Sequence, residues 1–310
     1  EECIEIEYRE ELRDSGDLEF LSGKQEFIRL GELDDVDISL LTHASPEEAR
    51  SLKAGTSHNG MIAKSVRFIG RSAHAGGAPH LGINALNAAN LAMQAIALQR
   101  ETFKDEDHVR VHPIITRGGA AVSSVPANVT MEMFIRAASI DAIKDTGLKV
   151  DQALRAGAMA IGATVEISTS PGYMPSQLDP ALNELYDENV LALPGDLEVG
   201  RMPHRTSSTD MGDVSVLMPT MQSYAGGASG RTHSNEFEIT DWELDVVEAG
   251  KALASTTISL LSDGASQAHK VIDDFDAPLT IPEYLATLRE FRKVEMFNTE
   301  SSDDSSPTGF

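Results

Sequence analysis

The sequence has almost no cysteine, because Cys3 is the single thiol in 310 residues. One thiol cannot close a disulfide within the chain, and it cannot supply the cysteines of a zinc finger. A metal ion would therefore have to be held by histidine and carboxylate side chains. The lone cysteine also fits a reducing compartment, and we expect a cytoplasmic location.

Long apolar runs are missing as well. No stretch approaches the ~18 consecutive apolar residues of a membrane span. The first ten residues, EECIEIEYRE, lack the basic and apolar regions of a signal peptide. Apolar residues still make up 41% of the chain, which is enough for a packed globular core. The sequence thus predicts no membrane partner.

Positive charge is scarce: 25 Lys and Arg stand against 49 Asp and Glu, giving a formal net charge of −24. Nucleic acids and anionic membranes carry the same sign, so neither is an expected partner. Two interpretations of the acidic surface stay open. It is either an ordinary solvated surface or an adaptation to high salt, which screens the self-repulsion.

A regular alternation of strand and helix patterns fills residues 64 to 169. The strand patterns are KSVRFIGRSA, VRVHPIITRGG, VTMEMFIRA and ATVEISTS. Helix patterns, with apolar residues three and four positions apart, follow Gly82 and Ser139. The order β-α-β-β-α-β predicts a ferredoxin-like module, a four-stranded antiparallel sheet with two helices on one face.

The flanking stretches predict parts of one larger α/β domain. GKQEFIRLG is a short helix pattern stopped by Gly31, and VDISLLTH is a buried strand pattern that ends at His43. Neither flank supplies enough strands for a sheet, so we infer one domain interrupted by the module. The predicted boundaries are 1–63 and 171–296 for the interrupted domain, 64–170 for the module and 297–310 for a disordered polar tail.

Three polar residues before the module are candidates for metal chemistry. Glu1 and Glu2 form a carboxylate pair, in which one acid can bind a metal and the other can activate water. His43 follows a buried strand, at the edge where open α/β sheets bind ligands. The alternatives are a solvated acidic terminus and a structural histidine.

Four further candidates lie within or after the module. His74 lies in the loop RSAHAGGAPHLG, and His233 lies in the glycine-rich loop AGGASGRTHS. Arg136, near the end of its strand, could bind a substrate carboxylate through two hydrogen bonds, although a surface ion pair is the commoner role. Asp210, in RTSSTDMGDVS, could orient a metal-bound histidine or simply cap a turn.

In this order, the motifs resemble the aminoacylase/carboxypeptidase family of dinuclear metallopeptidases and amidohydrolases. Within that family, they are most similar to the branch of p-aminobenzoyl-glutamate hydrolase and related dipeptidases. The matching stretches are GKQEFIRLGELDDVDISLLTH, AKSVRFIGRSAHAGGAPHLGINALNAA, IITRGGA, SSTDMGDVS and THSNEFEI. The second is the most specific, because its SAHA, proline and GINAL occur at the family's spacing.

The resemblance implies an α/β, zinc-peptidase-like sheet with helices on both faces, interrupted by a ferredoxin-like lid that also forms a homodimer. It implies metal-dependent hydrolysis of an amide bond in an N-acyl amino acid, a dipeptide or an aminobenzoyl-glutamate-like substrate. Such enzymes use two divalent metal ions, Zn²⁺ or Mn²⁺.

By position, the resemblance gives six of the seven candidates a role. Glu1 is expected to be the general base. The expected metal ligands are Glu2, His43 and His233. His74 is expected to reach the active site of the partner subunit and stabilise the oxyanion, and Arg136 is expected to bind the substrate's carboxylate.

Two departures from the family pattern qualify this expectation. The family carries an upstream His-x-Asp or Cys-x-His ligand pair that has no counterpart here, so we expect a fragment that is inactive by itself. Ser123 and Ser124 stand where the family often has asparagine, so no substrate contact is transferred there. The alternatives are a non-catalytic dimeric binding or assembly subunit of the same fold and a regulatory role for residues 64–169.

Overall fold

The computed structural model describes residues 6–46 and 50–298. Glu1, Glu2 and most of the predicted tail lie outside this range. The described residues form two compact units. The first unit contains the described residues up to His58 together with Met174–Leu285. The second unit contains Asn59–Tyr173 together with the described residues from Ala286 onward.

Strands and helices alternate along the described part of the chain. The strands are β1 (Ser39–Ala44), β2 (Ser51–Ala54), β3 (Ser57–His58), β4 (Gly60–Ile69), β5 (Arg110–Arg117), β6 (Asn128–Ala137), β7 (Thr164–Pro171), β8 (Ser176–Gln177), β9 (Glu198–Arg201), β10 (Thr220–Ala225), β11 (Ala228–Ser229), β12 (Glu238–Ile239) and β13 (Lys293–Phe297). The helices are α1 (Ile6–Ser15), α2 (Gly23–Leu30), α3 (Ala85–Leu98), α4 (Ile140–Ile161), α5 (Pro180–Leu191), α6 (Met211–Ser215), α7 (Ala249–Asp274) and α8 (Ile281–Phe291). A π-helical turn, Glu243–Glu248, precedes α7. None of the described helices is long and apolar enough to cross a bilayer.

The second unit has the predicted ferredoxin-like order with one strand added. Its antiparallel sheet has the order β13-β7-β4-β6-β5, and α3 and α4 share the core on one face. The sequence pattern predicts that residues up to 296 belong to the larger domain, whereas β13 pairs with β7 in this sheet. The alternation in KVEMF explains the pairing, because Lys293 and Glu295 turn towards Asp151 and Arg155 of α4.

Small residues bring α3 and α4 close together. Ala88 and Ala92 of α3 are fully buried. A Cβ atom at Gly157 of α4 would lie 2.6 Å from the carbonyl oxygen of Ala88. Side chains of Asn84 and Ser139 accept hydrogen bonds from the first turns of the two helices, as N-caps do. The helix pair therefore begins where the sequence predicts and packs at short range.

The first unit contains a four-stranded mixed sheet with the order β1-β10-β2-β9. The strand β1 runs parallel to β10, which runs antiparallel to β2. Leu40 packs with the core shared by α5 and α7, and the next residue, Leu41, packs with α6. Successive residues of a strand point to opposite faces. Helices thus cover both faces of this sheet, as the predicted fold class requires.

A fully buried carboxyl group, Asp213, lies in α6. Its Oδ1 accepts hydrogen bonds from the Tyr284 hydroxyl at 3.0 Å, Gln25 Nε2 at 3.3 Å and the Met174 backbone N–H at 3.3 Å. Burial is the largest influence on this group and raises the pKa of Asp213 to about 7. The folded protein therefore holds this proton more tightly than the unfolded chain does.

Asp213→Asn is expected to change the pH dependence of stability. An unfolded aspartate titrates near pH ~3.9, so between that pH and about 7 the folded wild type binds one proton more than the unfolded chain. Its free energy of unfolding should fall as pH rises through this window. The free energy of unfolding of Asp213→Asn, measured with urea relative to that of wild type, should therefore increase from pH 4 to pH 7. Asp35→Asn, on the surface, is the control. If the free energies of unfolding of Asp213→Asn and wild type differ by the same amount at both pH values, the prediction is contradicted.

Candidate active site

His43 lies at the end of β1 in the first unit, with an exposed imidazole. Its Nδ1 lies 2.6 Å from the carbonyl oxygen of Ala44. A carbonyl only accepts, so Nδ1 carries a proton, and in the neutral ring Nε2 keeps its lone pair. Metal-binding histidines commonly have this arrangement, in which the second nitrogen donates to a carbonyl. The hydrogen bonding of His43 thus fits a ligand.

A carboxylate that is not among the sequence-based candidates lies near His43. Burial raises the pKa of Asp245, and the nearby His43 acts in the opposite direction. Oδ1 of Asp245 is buried without a hydrogen-bond partner among the described residues. Asp245 lies in the π-helical turn, some 200 positions from His43 in sequence. No local motif could have indicated this neighbour.

His233 lies in the loop between β11 and β12, and its side chain is exposed. Its φ of 60° is in the left-handed region. The loop is tight because a Cβ atom at Gly230 would lie 2.1 Å from the carbonyl oxygen of Glu236. Within residues 6–46 and 50–298, no three His, Cys, Asp or Glu side chains form a group that could hold a metal ion. The described residues therefore do not complete a metal site, and Glu1 and Glu2 lie outside them.

Asp210 precedes α6 and forms an ion pair. Lys24 Nζ of α2 donates to Asp210 Oδ2 at 2.6 Å. One carboxylate oxygen is therefore engaged by a lysine. The predicted role of Asp210 as the acceptor for a metal-bound histidine stays a prediction.

His74 lies in the second unit, in the loop between β4 and α3. Its Nδ1 accepts hydrogen bonds from the backbone N–H groups of Gly76 at 3.2 Å and Gly77 at 2.9 Å. A neutral imidazole with an accepting Nδ1 carries its proton on Nε2. The exposed edge of the ring is therefore a hydrogen-bond donor. An oxyanion-stabilising group needs such a donor.

The His74 loop is held at both ends by backbone contacts. Arg71 N–H donates to the carbonyl of Ile83 at 3.0 Å, and Ala75 N–H donates to that of Ser123 at 2.8 Å. A Cβ atom at Gly70 would lie 2.1 Å from the carbonyl oxygen of Ile83. Glycine is therefore required where the loop leaves β4.

Arg136 lies near the end of β6 and is half-buried. Its guanidinium carbon lies 5.4 Å from the centroid of the Phe134 ring. Burial is the larger influence on this group and lowers the pKa of Arg136, while Tyr173 opposes the shift. Arg110 of β5 stands directly opposite in the sheet register. Two arginines at one end of the sheet favour an anionic ligand there.

Comparison with known proteins shows what this chain is similar to. Residues 56–160 match a family profile described as a peptidase dimerisation domain of the M20 type. The chain is 28% identical over 247 residues to the Xaa-Arg dipeptidase of Mus musculus, covering 77% of this chain and 56% of the relative. Residues 56–160 are thus similar to the dimerisation domain of M20 peptidases, and the similarity to the dipeptidase extends beyond them. Both matches agree with the family that the motifs resemble.

Two other proteins match over similar lengths. One of the subunits of p-aminobenzoyl-glutamate hydrolase from Escherichia coli K12 is 24% identical, with 82% of this chain and 65% of the relative covered. The crystal structure of a dinuclear metal-binding M20 peptidase from Bacillus subtilis superposes with a TM-score of 0.55 at 17% identity, covering 81% of this chain and 62% of that chain. The chain thus spans between about half and two thirds of the length of these relatives.

Proposed function

We propose that the protein is a metal-dependent hydrolase of amide bonds. The observation that supports this most strongly is that relatives named as amide hydrolases match 77% and 82% of the chain, well beyond the dimerisation domain. The proposed substrates are N-acyl amino acids, dipeptides and aminobenzoyl-glutamate-like amides. We also propose a cytoplasmic location, which the single cysteine supports.

Six of the seven candidate residues have a role in the proposed reaction. Bound divalent ions, Zn²⁺ or Mn²⁺, would polarise the carbonyl and lower the pKa of the attacking water. Glu1 takes up the proton that the water loses. The proposed ligands are Glu2, His43 and His233.

Two residues of the second unit act on the substrate in this proposal. His74 donates a hydrogen bond from Nε2–H to the carbonyl oxygen as negative charge develops there. The two backbone N–H groups that donate to Nδ1 support this role, because they leave the proton of the neutral ring on Nε2. Arg136 binds the substrate's carboxylate.

Removing the metal tests the proposed function. In a chain that also carries the upstream ligand pair, dialysis against a chelator should abolish hydrolysis of N-acyl amino acids, dipeptides or p-aminobenzoyl-glutamate, and Zn²⁺ or Mn²⁺ should restore it. His43→Ala should lower kcat/KM by ~10²-fold or more and lower the bound metal. His269→Ala, an exposed histidine of α7, is the matched control. Full activity in the chelated protein would contradict the proposal.

We also propose a homodimer formed through the second unit. β5 is an edge strand of the described sheet, and a groove of about 710 Å³ lies beside it, lined in part by Met93, Ile96 and Phe103. Unpaired edge strands and apolar grooves are surfaces that another chain can cover. Sedimentation at micromolar concentration should give twice the 33.3 kDa of one chain. A monomer would leave His74 without a partner's site to complete.

The alternative function is a non-catalytic dimeric binding or assembly subunit of the same fold. The observation that favours it is that the described residues hold no group of three metal-ligating side chains. A dimer that binds N-acyl amino acids but hydrolyses none of them with Zn²⁺ or Mn²⁺ would support this alternative.

A further inference from the structure

Three buried side chains of the first unit form a chain of hydrogen bonds that the proposed reaction does not use. His58 Nδ1 lies 2.9 Å from Ser176 Oγ, and His58 Nε2 lies 2.5 Å from the hydroxyl oxygen of Tyr224. His58 is 2% exposed, Ser176 1% and Tyr224 6%. Burial, with the positive Arg205 nearby, lowers the pKa of His58 to about 4. The imidazole is therefore neutral near pH 7.

The contacts of the Tyr224 hydroxyl indicate which atom donates in each of these hydrogen bonds. The Tyr224 hydroxyl oxygen accepts a hydrogen bond from Gln222 Nε2 at 2.9 Å. Among the described residues, His58 Nε2 is the acceptor within hydrogen-bond reach of the phenol, so we assign the phenol as the donor in this contact. A neutral imidazole with an accepting Nε2 carries its proton on Nδ1, which donates to Ser176. The hydrogen bonds thus run in one direction, from Tyr224 to His58 and from His58 to Ser176.

The same contacts hold the ring of Tyr224 in place. The guanidinium carbon of Arg205 lies 4.6 Å from the ring centroid. With its hydroxyl bonded and Arg205 stacked on it, the ring has little freedom to rotate.

His43 is the neighbour of this fixed ring. Tyr224 on β10 stands opposite His43 on β1 in the parallel register. The centroids of the two rings are 5.9 Å apart, with the planes at 44°. Tyr224 is thus in a position to restrict the orientation of the His43 imidazole.

We propose that Tyr224 and His58 are positioning residues for His43, an inference that rests on the proposed function. The fixed phenol keeps the imidazole in the orientation in which Nδ1 donates to the carbonyl of Ala44 and Nε2 remains the ligand atom. Loss of a group that orients a metal-bound histidine typically weakens metal binding ~10–100-fold. Here the ring of Tyr224 packs against the imidazole of His43, and the buried hydrogen bonds to His58 and Ser176 hold the Tyr224 ring in place.

The first test is Tyr224→Phe, which removes the hydroxyl and keeps the ring. In the metal-free protein, imidazole ¹⁵N NMR should show His43 changing from one tautomer to a mixture. Titration with Zn²⁺ alone should show ~10-fold weaker binding at the site that His43→Ala abolishes. His58→Gln keeps a donor and an acceptor, so its effect should be smaller. Tyr186→Phe removes another buried hydroxyl of the first unit and is the control.

The two readouts separate this inference from the proposed function. Wild type that binds neither Zn²⁺ nor Mn²⁺ would contradict the proposed function, while the NMR result would still decide the positioning role. A wild-type tautomer of His43 in Tyr224→Phe would overturn the inference. An equal change of the His43 tautomer in Tyr186→Phe would overturn it too, because the loss of any buried hydroxyl would then have the same effect.

Discussion

His74→Ala is expected to lower kcat ~10²–10³-fold with little change in KM, because the lost donor acts on charge that exists only in the transition state. The tautomer described above supports this prediction, since two backbone N–H groups hold Nδ1 as an acceptor and leave the proton on Nε2. The measurement is steady-state kinetics on the metal-loaded protein. His80→Ala, an exposed histidine in the same loop, should stay within a few-fold of wild type.

Mixing two inactive variants tests whether His74 acts in the partner's site. A hybrid dimer of His74→Ala and His43→Ala would contain one site with both histidines intact. Random exchange of subunits should then restore ~25% of wild-type activity, since half of the dimers are hybrids with one working site of two. No recovery after verified exchange would show that His74 does not complete a neighbouring site.

Asp151→Asn is expected to destabilise the second unit by about 3–5 kcal/mol, because it leaves a buried lysine without its counter-charge. Lys64 Nζ lies 2.7 Å from Asp151 Oδ1, and the two side chains are 1% and 4% exposed. Thr169 Oγ1 accepts a further hydrogen bond from Lys64 at 2.8 Å. Burial lowers the pKa of Lys64, and Asp151 opposes that shift. Urea unfolding of the whole chain measures the loss.

A double variant separates the charge from the packing. Lys64→Met with Asp151→Leu removes both charges and should recover most of the lost stability. Lys144→Met is the surface control, because the exposed pair of Lys144 and Glu290 should contribute at most ~1 kcal/mol. If the double variant is as unstable as Asp151→Asn, the loss comes from altered packing and not from the unpaired charge.

The fold of the second unit could be predicted from sequence because its pattern is local. Strands with a period of two and helices with a period of 3.6 follow one another between residues 64 and 169, and each buries one face. The strand β13 was missed because it lies more than 120 residues beyond β7, its partner. Only five residues long, it gives no signal for where it pairs.

The candidate site was less predictable, because its geometry joins distant segments. Motifs indicated His43 and His74 as candidates, but the protonation of each ring depends on backbone groups that only the folded loop brings into reach. His58 and Tyr224 are 166 positions apart and carry no motif. No sequence motif marks Asp245 either. Contacts of this kind follow from strand register, which the sequence pattern alone did not supply.

The position of β13 has a consequence for the order of events during synthesis. The second unit begins at Asn59, yet an edge of its sheet is formed by residues 293–297, so β7 emerges from the ribosome long before its neighbour does. Until then, β7 exposes unpaired backbone groups and is open to pairing with other chains. An isolated 59–173 fragment would keep that edge exposed, and we expect it to aggregate where the whole chain does not.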